Sequence, residues 1–202
     1  IVGYDDLGDW YRNTAEKARF VAHCRETMAG PLVYVDVDAF VHSNPSRYFG
    51  RLAAKGHDFG AHWYAGPAKG WNRSNVCACV TGGSCSREHR MLSGTLFLGD
   101  TEKCRTLLRA WVGLNETLAA AGLVEGGGQK QLWYATTCVQ GLNVVRLGGE
   151  YAYVFDKPFA YRAGTVPVIE HTIASRENRA GSRGKSNPAR QKRLAELRAL
   201  VA

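Results

Sequence analysis

Long apolar runs are absent from this sequence: no stretch approaches the roughly 18 consecutive residues that a bilayer-spanning helix needs. The opening IVGYDDLGDW is acidic where a signal peptide would be basic and then apolar. A soluble protein of the cytoplasm is therefore expected. A disulfide framework is missing too. Cys24, Cys77, Cys79, Cys85, Cys104 and Cys138 scatter over expected helices and loops, and a domain of this size holds its core without staples, so they read as reduced thiols. There is no internal repeat. At 202 residues the chain is too short for two full domains, while 45% hydrophobic content suffices for one globular domain with a real core.

Acidic residues are outnumbered, 18 to 26, and the excess is uneven. From Arg176 onward, Arg176, Arg179, Arg183, Lys185, Arg190, Lys192, Arg193 and Arg198 face only Glu177 and Glu196. Such a segment is drawn to nucleic acid or to an anionic membrane surface. A solvated tail is the plain alternative.

Along the chain, Asn13 and Glu16 predict a capping box opening a helix from about Thr14 to Met28, and Gly30-Pro31 stops it. A strand over Leu32 to Val37 follows, then a short helix from Ser46 to Ala54 behind Asn44-Pro45, then a strand within His57 to Trp63. Tyr64 to Arg90 has no periodicity and reads as a long loop or insertion. Beyond it the pattern predicts a strand at Thr95 to Leu98 and a helix capped by Asp100 or Thr101, with Cys104, Leu107, Leu108, Trp111, Leu114 and Leu118 as its stripe. Another helix follows Gly126-Gly127-Gly128, then strands at Leu142 to Leu147, Ala152 to Phe155 and Val166 to Ile169. Alternating strands and helices argue for an α/β sandwich. The division expected is a main domain over residues 1–175 and a basic segment over 176–202, ending in an amphipathic helix behind Asn187-Pro188.

The chemistry concentrates in PLVYVDVDAF, where Asp36 and Asp38 sit two apart in an apolar run. Side chains alternate along a strand, so both carboxylates would point to one side. Two carboxylates held together repel, and either one takes a proton or a cation sits between them. Oxygen ligands suit magnesium or manganese, and such an ion suits a departing diphosphate. Surface aspartates capping a turn are the plain alternative.

The segment PLVYVDVDAFVHSNP resembles the Asp-x-Asp region of nucleotide-sugar-dependent glycosyltransferases with the GT-A fold, especially glycogenin-like and small phage-type enzymes. NTAEKARF, MLSGTLFLG, VEGGGQKQL and VIEHTIASRENR are similar to further pieces of that family, in the same order. The resemblance implies an α/β, Rossmann-like single domain with a mixed sheet flanked by helices. It implies Asp38 and His171 as metal ligands, with Asp36 ligating the metal or holding the ribose. Lys17, with Arg176 or Arg179, would offset diphosphate charge; Ser93 and Gly94 would let the donor approach; Glu125 and Gln129 would bind sugar hydroxyls. The implied cofactors are manganese or magnesium and a nucleotide sugar, a UDP-sugar first. Departures are Leu92 where the family often has Asn, Gly128 where it has Asp, and Ala174 and Glu177 where it has Gly and Lys. Either Ile1 to Tyr4 forms the family's first nucleotide-binding strand or that edge is trimmed.

Cys77, Cys79, Cys85 and His89, spaced C-x-C-x5-C-x3-H, could bind a structural zinc ion, or be ordinary thiols and a histidine. An inverting reaction would need a carboxylate base, for which Glu125, Asp156 and Glu170 are candidates; a retaining one would not. The expected acceptor is a 5-hydroxymethylated pyrimidine in DNA, reached through the basic segment, with a lipopolysaccharide, another glycan or a protein as rivals; Trp63, Tyr64 and Trp71 could stack on the base, or equally pack into the core. Two other classes compete, a haloacid-dehalogenase-type phosphatase and a non-catalytic basic DNA-binding protein. The first would need the motif on its first strand and a second acid in GDTEK. The second leaves Asp36, Asp38 and His171 without purpose.

Overall fold

A computed structural model describes residues 10–63, 91–122, 128–156, 161–172 and 188–200, with residues 10–12 as backbone only. Its elements run α1 (Trp10–Thr27), β1 (Leu32–Val35), β2 (Ala39–Val41), α2 (Ser46–Ala54), β3 (Phe59–Trp63), β4 (Met91–Leu98), α3 (Glu102–Ala120), α4 (Gln129–Cys138), β5 (Val144–Arg146), a 3-10 turn (Gly149–Tyr151), β6 (Tyr153–Val154), β7 (Ile169–His171) and α5 (Pro188–Ala199). One sheet has four strands in the order β1-β4-β3-β5, and a second has three in the order β2-β7-β6. In the first, β4 is antiparallel to both neighbours while β3 and β5 are parallel. In the second, β7 is antiparallel to β2 and parallel to β6. The fold is thus mixed α/β, as expected.

Strand β4 is central because both its faces are buried. Leu96 and Leu98 pack with Ala18 and Val21 of α1, Leu107, Leu108 and Trp111 of α3, and Leu132 of α4. Phe97 turns the other way to meet Phe49, Leu52, Leu147 and Ile169. Its pairing with β3 shifts register between Gly60 and His62. The shift breaks simple alternation, so that Met91 joins the same cluster as Leu96. Ser93, Gly94 and Thr95 lie in this irregular stretch.

Several local expectations differ from what forms. Helix α1 is already running at Trp10, so Asn13 lies inside it and is no cap; Glu16 instead pairs with Arg19 at 3.1 Å. The helix ends where Arg25, fully buried, donates to the carbonyls of Met28 and Gly30, while Gly30 takes φ +76°. Asn44 does accept from the Ser46 N–H, at 2.9 Å. Thr101 caps α3, its hydroxyl accepting from the Cys104 N–H at 3.1 Å. Strand β1 stops at Val35, two residues short of expectation, and β2 was not foreseen. Strand β4 begins at Met91 rather than Thr95, because Ser93 and Gly94 mask its apolar pattern. Strand β7 falls at Ile169–His171 instead of Val166 to Ile169, leaving Val166 exposed. Cys24, Cys104 and Cys138 are free thiols, and burial pushes that of Cys104 up to about 12. No described helix is long and apolar enough to cross a membrane. The segments 1–9, 64–90, 123–127 and 173–187 lie outside the described residues.

The entry to α4 depends on one polar contact in the core. Gly128 adopts φ +72°, and the Trp111 indole N–H donates to its carbonyl at 2.7 Å. The left-handed φ gives the local reason for glycine at this position, since a Cβ there would stand at ordinary contact distance, 3.4 Å, from Trp111 Nε1. Trp111→Phe removes the donor and leaves a buried carbonyl short of a partner, a loss of about 1–3 kcal/mol. Thermal denaturation should register it as a Tm lowered by on the order of 5 °C.

Candidate metal centre

The aspartate pair sits on a turn between the two sheets and not inside a strand. Asp36 N still donates to Gly94 O at 2.8 Å, as a last rung of the β1 ladder. Ala39 N then donates to Asp36 O at 3.0 Å, closing a turn from which Val37 projects fully into solvent. The expected burial of Val37, and the strand alternation meant to align the carboxylates, are both corrected by this turn. The chain leaves one sheet at Asp36 and enters the other at Ala39, so the carboxylates stand at the seam.

Across that seam β7 presents His171. Ala39 is its register partner, and Thr172 donates to Asp38 O through both its N–H, at 3.1 Å, and its hydroxyl, at 2.7 Å. Asp36, Asp38 and His171 thereby offer ligand atoms within 4.8 Å of one another, the one such group of three among the described residues. Two carboxylates and an imidazole fit manganese or magnesium by donor type.

His171 is held from two sides. Thr95 Oγ1, fully buried, lies 2.8 Å from Nε2 and fixes the orientation of the ring; with the proton on Nε2, Nδ1 has a lone pair to offer. Burial lowers the pKa of His171; Asp36 and Asp38 oppose that, and Lys17 adds to it. The net direction favours the neutral imidazole, the form that binds metals. Gly94 makes room for the ring, since a Cβ there would stand 2.7 Å from His171 Cε1 and 2.9 Å from Nδ1. The expectation had set Gly94 against the donor.

Asp36 is anchored through one oxygen. Its Oδ1 receives Lys17 Nζ at 2.6 Å and the Tyr34 hydroxyl at 2.7 Å. Burial and the adjacent Asp36 charge raise the Tyr34 pKa strongly, so the hydroxyl keeps its proton and donates. Lys17 Nζ also reaches Ser93 O at 3.4 Å and Oγ at 3.5 Å, and Ser93 N donates to Gln129 Oε1 at 3.3 Å. Lys17, Asp36, Asp38, Ser93, Gly94, Gln129 and His171 are thus brought together. Glu125, Arg176 and Arg179, and the cluster Cys77, Cys79, Cys85 and His89, lie outside the described residues, as do Tyr64 and Trp71.

Tyr34 and Thr95 were not singled out from the sequence. Both look like ordinary β-formers there; the available signal was a polar atom two residues before Asp36 and one immediately after Gly94. Of the two readings of Trp63, core packing is the one that forms: it lies against the main core with Arg146 over its ring at 5.6 Å. Glu170 is unavailable as a base, for its buried carboxylate is held by Arg193 and His42 at 2.7 Å each. Burial would raise its pKa, but those hydrogen bonds and charges prevail and lower it. Asp156 is half-buried just beyond β6.

No family model matches the chain, and no curated protein matches it in sequence. Among solved structures it is similar to a galactosyltransferase, LgtC, in complex with donor and acceptor sugar analogues, at TM-score 0.53 and 11% identity over 88% of this chain. It is also similar to mouse xyloside xylosyltransferase 1 in its apo form, at TM-score 0.46 and 12% identity over 77% of this chain. The chain spans 64% and 63% of those two chains respectively. The first likeness establishes a GT-A-like fold for this protein.

Thr95→Val removes the hydrogen bond to His171 at nearly constant volume, and Gly94→Ala displaces the ring. Each should weaken manganese binding by roughly tenfold to a hundredfold. Electron paramagnetic resonance titration of free Mn2+ measures it, and wild-type affinity in both variants would rule out His171 as a ligand.

Proposed function

We propose that the protein is a metal-dependent glycosyltransferase that moves a sugar from a nucleoside-diphosphate sugar, a UDP-sugar first, to an acceptor hydroxyl. The observation that carries this is the convergence of Asp36, Asp38 and His171 within 4.8 Å at the seam of a GT-A-like fold. Asp38 and His171 would hold Mn2+ or Mg2+, with Asp36 joining through its remaining oxygen. When bound, the ion supplies positive charge to the diphosphate as it becomes the leaving group.

The protein's own groups supply the rest. Lys17 sets a positive charge beside Asp36 and Ser93, close to where phosphate oxygens would lie. Arg176 or Arg179 is proposed to add to it. Gln129, already turned toward Ser93, and Glu125 would hydrogen-bond donor hydroxyls and orient the sugar. With Glu170 engaged elsewhere, Glu125 and Asp156 are the carboxylates left from the original candidates for an inverting base. A structural zinc ion at Cys77, Cys79, Cys85 and His89 belongs to the same proposal, and elemental analysis of active protein washed with a weak chelator decides it.

For the acceptor, a 5-hydroxymethylated pyrimidine in DNA is supported by the basic segment alone. On α5 that support is reduced: Arg190 is buried and Arg193 is paired, while Lys192 and Arg198 face solvent. A glycan, lipopolysaccharide or protein hydroxyl is the alternative. Filter binding to duplex DNA at low salt separates the two, since failure to bind there leaves the second.

Nucleotide-sugar turnover with Mn2+ tests the main proposal. Asp38→Ala and His171→Ala should each reduce turnover at least a hundredfold, in line with loss of a charge-stabilising group worth about 3 kcal/mol or more. Unchanged turnover in both variants would overturn it.

A further inference from the structure

Strand β7 has two faces. His171 looks into the seam between the sheets; Glu170, the residue before it, turns to the opposite face. There its fully buried carboxylate is saturated. Arg193 of α5 donates to Oε1 from Nε and to Oε2 from Nη2, both at 2.7 Å, and His42 Nε2 lies 2.7 Å from Oε2. His42 follows β2 directly, and β2 begins at the residue after Asp38. The bridge therefore joins the strand entered from Asp38 to the strand that ends in His171, and α5 clamps both from behind.

The sheet so clamped is small, with three residues in β2, three in β7 and two in β6. Strands this short hold little geometry by pairing alone. Helix α5 is seated by more than one contact, for Arg190 and Leu197 are also buried, and Arg193 is steadied by Glu196 at 3.0 Å.

We propose that Arg193 is a positioning residue: through Glu170 and His42 it makes the C-terminal helix a strut that keeps His171 and Asp38 at cation-binding distance. The inference rests on the metal reading above for its consequence, but the strut itself is testable without metal. Arg193 touches neither ligand. It acts by fixing the backbones on which they are carried, and a planar, bidentate guanidinium does this more firmly than an ammonium would.

Three variants make the test: Arg193→Leu, Arg193→Lys, and the double substitution Glu170→Leu with Arg193→Leu. The single leucine variant leaves a buried carboxylate with one partner fewer and loses stability; the double variant removes the charge and recovers Tm. Expected is Mn2+ affinity reduced roughly tenfold or more in both leucine variants, and faster amide hydrogen exchange at Ile169 to Thr172 and Ala39 to His42. Arg193→Lys should recover only part. A double variant with recovered Tm, wild-type Mn2+ affinity and unchanged exchange would overturn the proposal. A wild type that binds Mn2+ no better than Asp38→Ala would sink the metal reading alone; accelerated exchange in the variants would then still support the strut, and unchanged exchange would overturn it.

Discussion

Everything at the candidate centre depends on a change of sheet made in four residues. Asp36 is the last residue bonded to β4, and Ala39 is the first paired with β7. Between them the backbone turns once, and no additional segment is needed to bring two carboxylates to the boundary. The double bond from Thr172 to Asp38 O locks the far side of that boundary. A single carbonyl, accepting twice, thus sets the distance between residues more than a hundred positions apart in sequence.

Charge is arranged around this junction in layers. Lys17 and Tyr34 hold one oxygen of Asp36, so the negative charge of the pair is partly answered from within the protein. His171 lies deeper, its pKa lowered by burial and its ring held by Thr95. Behind it the next carboxylate, Glu170, is fully answered by Arg193 and His42. Of the three acids brought near β7, the pair at the turn lies with His171 in the group of possible ligand atoms, while Glu170 lies outside it. The bridge to Glu170 behind and the aspartate pair in front are separated by one strand.

The parts legible in the sequence were those with a local cause. Thr101 capping α3, the stripe from Cys104 to Trp111, and the α2 boundaries follow from short-range patterns. Lys17, Ser93, Gln129 and His171 were identified through resemblance, and the fold brings them together. What stayed hidden was non-local. No pattern in PLVYVDVDAF distinguishes a strand that continues from one that turns, since Val37 is as apolar as Val35. Likewise no reading of Arg193 within a run of basic residues assigns it to a buried glutamate 23 positions earlier. Gly94 was found, but its purpose was not, because the ring that needs the space comes from another sheet.

Val37 stands apart from its neighbours. Each residue flanking it is committed, Asp36 by its carboxylate, Asp38 by its carbonyl and Ala39 by pairing with β7. Its own side chain packs on nothing that folding requires. This position is therefore a free variable set between fixed ones: a lineage, or an engineer, can alter the texture of the rim there without renegotiating the interior.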